Sequence, residues 1–399
     1  LGLGGRTGHD ADLLQVLSGC ALYAGMTPWA ANYGGHQFGH WAGQLGDGRA
    51  LSLGELRDTD GKPWEIQLKG AGSTPFSRGG DGRAVLRSSL REYVASQAME
   101  ALGVPTTAAL SLVATGQAVV RDLLYDGHPR AEPGAIVCRA APSFLRFGSL
   151  QLPASRGDLA LLQQLVDFAI ARHYPELADQ PEPAAALLAA VARASAELVS
   201  HWQRVGFVHG VLNTDNLHIA GLTIDYGPFG WLEIFDPGYT PNTTDRSGRY
   251  SYAAQPAMVR WNLAALAQAL APLCRDSQAL ADGLAAYDQQ LAHCRLRDAG
   301  AKLGLPPGVQ VRQMQQRWEQ LMADARLDMS LAYRCLARVR GDNALAMAPS
   351  LLLAPAATDA AALQAQLPAL AAWLADYRAL VIAAALPAVE RAAAMNAVN

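Results

Sequence analysis

The sequence predicts an α+β protein of two lobes with a helix-rich C-terminal lobe, and three observations carry that expectation. The chain has 399 residues, enough for two or three compact units at roughly 100 to 200 residues each. Residues 1–150 are rich in Gly and in short strand-like runs, whereas residues 151–399 are dominated by long Ala/Leu-rich patterns of helical period. Hydrophobic residues make up 51% of the chain and charged residues 17%, below the usual ~25% for charges, which implies ample material for a core and argues against disorder.

In Trp64-Glu65-Ile66-Gln67-Leu68-Lys69 apolar and polar residues alternate strictly, the signature of a strand with one buried face. Lys69 is then on the polar face. Gly70 and Gly72 end the strand, and after Arg78-Gly79-Gly80-Asp81-Gly82-Arg83 a helix is expected over 85–102. Its apolar stripe would be Leu86, Leu90, Tyr93, Val94, Ala98 and Leu102, with Glu92 off the stripe. Helices are expected over 159–171 and 184–204, the second stopped by Gly206. Two short strands, 207–208 and 222–224, should follow, then a Gly/Pro/Asn/Thr-rich loop over 227–247. A long ordered loop of this kind is usually functional. From residue 255 onward the pattern is helix after helix, interrupted by prolines over 348–355 and ending in an Ala-rich helical tail. Trp202, Trp261, Leu263, Leu266 and Leu270 recur at helical spacing and read as core.

A net charge of −3 supplies no global positive field, so nucleic acid is not an expected partner. The apolar run 379–389 lies between Arg378 and Glu390 and contains Pro387. It falls short of the ~20 residues of a membrane span and reads as a buried helix segment, so no membrane partner is expected. Five scattered cysteines (Cys20, Cys138, Cys274, Cys294, Cys335) form no C-x-x-C pair, which fits a reducing compartment. With no targeting signal visible, a cytoplasmic location is expected.

The strongest local signal is His209-Gly210-Val211-Leu212-Asn213-Thr214-Asp215-Asn216 followed by Ile224-Asp225-Tyr226-Gly227. Its His-to-Asn spacing and Asp-aromatic-Gly match the catalytic and metal-binding segments of kinase-like phosphotransferases. Asn216 and Asp225 each offer a hard oxygen to a divalent cation that neutralises phosphate. Val211 stands where such loops carry their catalytic Asp, and a valine accepts no proton; Asp215 is the nearest carboxylate able to act as a base. On these residues alone, a turn whose side chains bond their own backbone is the simpler reading. Agreement with distant residues changes that balance. Lys69 at a strand end and Glu92 on the next helix reproduce the lysine–glutamate pair that positions a phosphate-binding cation.

Other signals are weaker. Gly46-Asp47-Gly48-Arg49 and Gly70-Ala71-Gly72 allow close backbone approach to phosphate but fit ordinary turns equally well. Arg139 and Arg146 flank 140–145 and would suit a polyphosphate clamp, with surface arginines as the plain alternative. His36 and His40 have zinc-protease spacing, but Gln37 replaces the Glu and Gly39 weakens the helix, so a packed or hydrogen-bonded pair is expected rather than a metal site. The stretch Leu1 to Gly8 misses the dinucleotide spacing, and neither a P-loop lysine nor a nucleophile elbow is present.

Several blocks in order resemble the selenoprotein O family of protein adenylyltransferases. They are Tyr33-Gly34-Gly35-His36-Gln37-Phe38-Gly39, Gly43 to Arg49, Leu68 to Gly72, Asp81 to Arg87 and His209 to Gly230. The resemblance implies a two-lobed kinase-like (pseudokinase) fold, with nucleotide bound in inverted orientation and AMP moved from ATP to Ser, Thr or Tyr hydroxyls of client proteins. It implies a nucleotide-binding lobe over 1–150, a helical lobe over 151–399 with a metal-binding loop at 209–230, and further residues beyond both Leu1 and Asn399. Residue by residue, it implies nucleotide contacts from Gly46, Gly48, Arg49, Lys69, Asp81, Gly82, Arg139, Arg146 and Asp225. It also implies Asp215 as proton acceptor, Asn216 and Asp225 as ligands of Mg²⁺, with Mn²⁺ as its substitute, and Glu92 orienting Lys69. Some family members carry regulatory cysteines after the Asp-aromatic-Gly and near the C-terminus. Here residues 225–250 hold none and none follows Cys335, so that redox switch is not expected. The same pocket could serve a kinase or a UMP transferase, and Val211 is the feature that would favour a non-catalytic nucleotide-binding scaffold.

Overall fold

The computed structural model describes residues 11–122, 126–340 and 347–398; the Leu1–Gly8 stretch lies outside them. It is an α+β protein that divides into two compact units. The first comprises residues 1–191, 213–227 and 262–284, and the second residues 192–212, 228–261 and 285–399.

The first unit begins with α1 (Ala11–Leu17) and a hairpin of β1 (Gly34–Gln37) and β2 (His40–Gln44). Phe38 and Gly39, both at positive φ, make the two-residue turn. β3 (Ala50–Arg57), β4 (Pro63–Lys69), β5 (Ala84–Val85), β6 (Ala108–Arg121) and β7 (Arg130–Ala141) form an antiparallel sheet of order β3-β4-β7-β5, with β6 also paired to β7. The expected strand over 64–69 is β4. Ile66 and Leu68 pack with Ile136, Cys138 and Ala140 into a core. The polar face is buried too: Glu65, Gln67 and Lys69 are each under a tenth exposed. Its side chains point into the protein, where buried charge must find partners.

Helix α2 (Leu86–Ala101) follows β5 as expected, but its buried face is not the predicted stripe. Leu90, Val94 and Leu102 are exposed, whereas Ser89, Glu92, Ala95, Ser96 and Met99 are buried. Ser96 and Glu92 tolerate burial because they are bonded, whereas Ser89 Oγ is buried without a hydrogen-bond partner. Ser96 Oγ donates to the carbonyl of Thr107 (2.6 Å) and accepts from Ala109 N (3.0 Å), and Glu92 is ion-paired. Two further helices, α3 (Phe147–Ser155) and α4 (Leu159–His173), the latter capped by Asp158, complete this part. The expected strand 222–224 is absent: Thr223 makes only an isolated bridge to Thr106.

Helix α5 (Pro183–Val205) ends at Gly206, at φ 70°. In the second unit β8 (Phe207–Val208) pairs with β9 (Gly230–Trp231), which interrupts the long loop expected over 227–247. Trp202, Phe207, His209, Phe229 and Trp231 form an aromatic cluster around that pair. The remaining helices are α6 (Gln255–Leu270), α7 (Ser277–Leu303), α8 (Val309–Asp324), α9 (Met329–Leu336), α10 (Pro349–Leu353), α11 (Ala360–Ala384) and α12 (Ala388–Val398). Trp318, Tyr333, Trp373 and Tyr377 are buried at the centre of the second unit's core. The run 379–389 is not buried throughout as expected: Val381 is in the core, but Ile382, Leu386 and Val389 are exposed, and α11 stops at Ala385 in the left-handed region. Two helices, Pro183–Val205 and Ala360–Ala384, are long and apolar enough to cross a membrane by length and composition, with 67% and 22% of their apolar windows buried.

Gly148, in the first turn of α3, lies against the hairpin, and a methyl group there would run into the carbonyl oxygen of Gly34. Gly148→Ala should therefore cost about 1 to 3 kcal/mol of stability. A lower denaturant midpoint, together with a changed emission of Trp41 on β2, is the expected result.

Candidate active site

The first unit brings together most of the charged residues singled out in the sequence. Register does the first part: Gln67 on β4 faces Arg139 on β7, and Lys69 is paired two residues further on with Val137. Paired residues share a sheet face, so Gln67, Lys69 and Arg139 project to the same side. Glu92 comes from the buried face of α2, and its Oε2 lies 2.6 Å from Lys69 Nζ. The segment 213–227 is stitched in at two places. Phe147 N donates to Leu217 O (3.0 Å) and Ile219 N to Leu145 O (3.0 Å); Thr223 N donates to Pro105 O (2.9 Å) and Thr107 N to Thr223 O (3.1 Å). These bonds set Asp215 and Asp225 on either side of Arg146, the residue preceding α3.

Asp225 is the hub. Its Oδ1 accepts from Arg139 Nη1 (2.8 Å) and lies 3.7 Å from Lys69 Nζ, while Oδ2 accepts from Arg146 Nη1 (2.6 Å). Its backbone is left-handed, at φ 55°, a conformation Asp tolerates better than most residues. Burial alone would raise its pKa, but Arg146, Arg139 and Lys69 outweigh burial and hold the carboxyl well below the ordinary range. Lys69 is pulled downward by burial and upward by Glu92, with Arg139 and exposed Arg49 opposing its charge.

Arg139 is fixed on its other sides by Gln67 Oε1 (2.7 Å), Glu92 Oε1 (3.3 Å) and the ring of Phe144, 5.0 Å away. Arg146 is 1% exposed and stacks 4.4 Å from the Tyr33 ring centroid. Its Nη1 also donates to the backbone oxygen of Asp215 (2.9 Å), and Nη2 lies 3.7 Å from Asp47 Oδ1. Its Nε and Nη2 are buried without a hydrogen-bond acceptor, which leaves directed donors for an oxyanion.

Asp215 sits in a short 3-10 turn, Thr214–Asn216, and is buried. Gln37 Nε2 donates to its Oδ2 (3.3 Å), and Oδ1 is buried with no hydrogen-bond donor. The hairpin holds this turn from above: His36 N donates to Thr214 Oγ1 (2.7 Å) and Phe38 N to Asn213 Oδ1 (3.3 Å). Gly35 is required here, because a Cβ would lie 2.7 Å from Asp215 Oδ1. Burial raises the Asp215 carboxyl to about 6 against the pull of Arg146 and Gln37. Asn216, half-buried, ends the same turn.

The glycine-rich blocks occupy the margins. Gly46 and Gly48 pack on the 74–77 turn, where a Cβ at Gly48 would meet Phe76 O at 2.8 Å. Thr74 Oγ1 donates to Asp47 O (2.6 Å), and Ser77 Oγ to Gly48 O. Gly82 is antiparallel to Gly72, which donates to its carbonyl (3.2 Å). Asp81 is not part of the Lys69 cluster. It is exposed and salt-bridged to Arg121 (2.6 Å), which holds it at about 2. His36 and His40 stand on neighbouring strands of the hairpin rather than on a helix. Among the described residues no group of three or more His, Cys, Asp or Glu is placed to hold a metal.

Four residues of the cluster were not singled out in the sequence: Tyr33, Asp47, Gln67 and, for its contact with Asp215, Gln37. Asp47 is buried, accepting from Tyr33 Oη (3.1 Å) and Gln67 Nε2 (3.0 Å). Gln67 had a signal, its place on the polar face of β4 two residues from Lys69. Asp47 lay within a glycine turn and carried none.

The chain is similar to known proteins along its whole length. A family model described as "Protein adenylyltransferase SelO" matches residues 1–399. The "Protein nucleotidyltransferase YdiU" of Xanthomonas campestris pv. campestris (strain B100) is 53% identical over 402 residues, covering 100% of this chain and 77% of that protein. The protein of the same name from Xanthomonas axonopodis pv. citri (strain 306) is likewise 53% identical over 402 residues, with the same coverage. That of Xanthomonas euvesicatoria pv. vesicatoria (strain 85-10) is 58% identical over 339 residues, 84% of this chain and 65% of that protein. The chain belongs to the SelO family of protein adenylyltransferases.

Proposed function

We propose that this nucleotidyltransferase moves AMP from ATP to Ser, Thr or Tyr hydroxyls of client proteins on a kinase-like, two-lobed frame. The carrying observation is that Lys69, Arg139 and Arg146 meet on Asp225 while Arg146 also reaches the turn bearing Asp215. The client oxygen attacks the α-phosphorus, its proton passes to Asp215, and the bond to the β-phosphoryl oxygen breaks to release pyrophosphate. Asp215 suits the role of base. At about 6 its carboxyl is ionised at neutral pH yet basic enough to take a proton, and Gln37 holds one oxygen while the other, buried, receives no hydrogen bond. Lys69, Arg139 and Arg146 stabilise the charge that develops on the leaving group, and the Arg146 donors without acceptors supply directed contacts to phosphate oxygens.

Asn216 and Asp225 fit a hard divalent cation by donor chemistry, an amide oxygen and a carboxylate kept ionised by its neighbours. They are the residues that would hold Mg²⁺, or Mn²⁺ in its place. When bound, such an ion neutralises phosphate charge.

Labelling separates this reading from a kinase. With ATP labelled at the α-phosphorus, clients should retain label while pyrophosphate is released; label retained from the γ-position instead would assign phosphoryl transfer. The pH dependence of kcat/KM should rise with unit slope through about 6. Asp215→Asn should lose that limb together with about 10²- to 10⁴-fold of the rate. The same substitution should stabilise the fold at neutral pH. A carboxyl raised on folding costs nothing below its unfolded value near 4 and disfavours folding increasingly up to about 6. Asp215→Asn should therefore be more stable than the parent at pH 7.5, by at most about 3 kcal/mol, and no more stable at pH 4. Denaturant unfolding at the two pH values measures this, and equal stabilities at pH 7.5 would refute the raised carboxyl.

A further inference from the structure

The second unit holds a cavity of about 400 Å³ walled by the last turns of α5, by α7 and by α8. That volume lies within the range of small-molecule sites, roughly 300 to 1,000 Å³, and none of the residues assigned above to AMP transfer lines it.

Its charge is unbalanced. Among the described residues lining it, Arg204, Arg295, Lys302 and Arg312 are cationic, whereas Asp298 and Glu319 are anionic. Each carboxylate has a cationic neighbour, and for Glu319 that neighbour is Arg312, one of the four lining cations. Asp298 accepts from Ser200 Oγ and from Arg297 Nε (2.9 Å), and Glu319 lies 3.5 Å from Arg312. Lys302 is 3% exposed, donates to the carbonyl oxygen of Arg204 (2.7 Å) and sits 4.1 Å from the Tyr333 ring centroid. The carbonyl and the ring stabilise the ammonium by partial charges. Burial, followed by the repulsion of Arg204, pushes Lys302 down to about 7. Arg295 is lowered by burial and then by Arg312, and Arg204 by burial with Arg297 adding to it against Asp298. These shifts share one sign, as expected where cations crowd one another.

The rest of the lining is mixed: Phe235, Leu291 and Met329 give apolar surface, and Gln203 and Gln315 give amides. Guanidinium groups offer the planar donor geometry that suits oxyanions. We propose that this cavity is a second binding site, for a small molecule carrying a phosphate or carboxylate on a partly apolar body. Arg295, Lys302 and Arg312 face the oxyanion, and Phe235 and Met329 pack against the body.

The composition of the chain supplies a clean probe, because Lys62, Lys69 and Lys302 are its three lysines. With lysine labelled by carbon-13 at Cε, NMR should give three side-chain signals. Lys62→Arg identifies the exposed lysine, and saturation with α,β-methylene-ATP occupies the catalytic cluster and identifies Lys69. Inorganic phosphate and, separately, succinate are then titrated into the full chain with that nucleotide present. The expected result is a saturable movement of the Lys302 signal and a rise of its titration midpoint by roughly a unit or more, with the more effective anion naming the class. Arg295→Gln, a substitution at an exposed position, and Arg312→Gln should each weaken that response several-fold. A Lys302 signal unmoved by either anion up to tens of millimolar overturns the proposal. So does a response of unchanged strength in both arginine variants.

Discussion

Compensation of buried charge organises the first unit. Arg139, Arg146 and Lys69 are all nearly inaccessible to water, and each is held in place by carboxylates that are themselves buried or half-buried. Coulombic attraction in such surroundings is strong, but so is the cost of leaving any member alone. Asp225 therefore couples β4, β7, the start of α3 and the 213–227 segment by one small group. Removing its charge would leave two guanidiniums without their shared acceptor. A substitution at Asp225 is thus read in stability as well as in chemistry, and the two effects separate only when folding is measured alongside rate.

The same arrangement gives the two carboxylates opposite characters. Asp225 receives three cations and stays ionised; Asp215 is dominated by desolvation and is raised. Divergent environments for neighbouring acids are a recurrent way to divide labour in an active site. The hairpin β1–β2 makes the second environment, since it covers the Asp215 turn through backbone bonds and a glycine. A carboxylate so covered has its orientation fixed by the fold.

Much of this was legible in the sequence, for reasons that can be named. The alternation in 64–69 correctly placed Ile66 and Leu68 opposite Lys69, because period two is a property of the strand alone. The Lys69–Glu92 pairing was anticipated from spacing relative to a strand and the helix that follows it. The apolar stripe of α2 failed for the converse reason. Burial there follows hydrogen bonds and an ion pair made to residues far along the chain, which no helical wheel contains. Thr223 failed as a strand because its partners, Thr106 and Pro105, give it one bridge and no ladder. Asp47 and Tyr33 could not be ranked in advance, since their importance is their proximity to Arg146. The run 379–389 misled through composition: alanine and isoleucine suit an exposed helix end as well as a core when neighbouring helices leave them uncovered.

Burial of two of the three lysines has a practical side. Lys69 and Lys302 are enclosed, and Lys62 stands exposed just before β4. The protein presents its outer positive charge almost wholly as guanidinium, and a reagent that acylates lysine side chains meets a single accessible target. A dye, a biotin or a surface tether attached through that amine would mark one known point of the molecule.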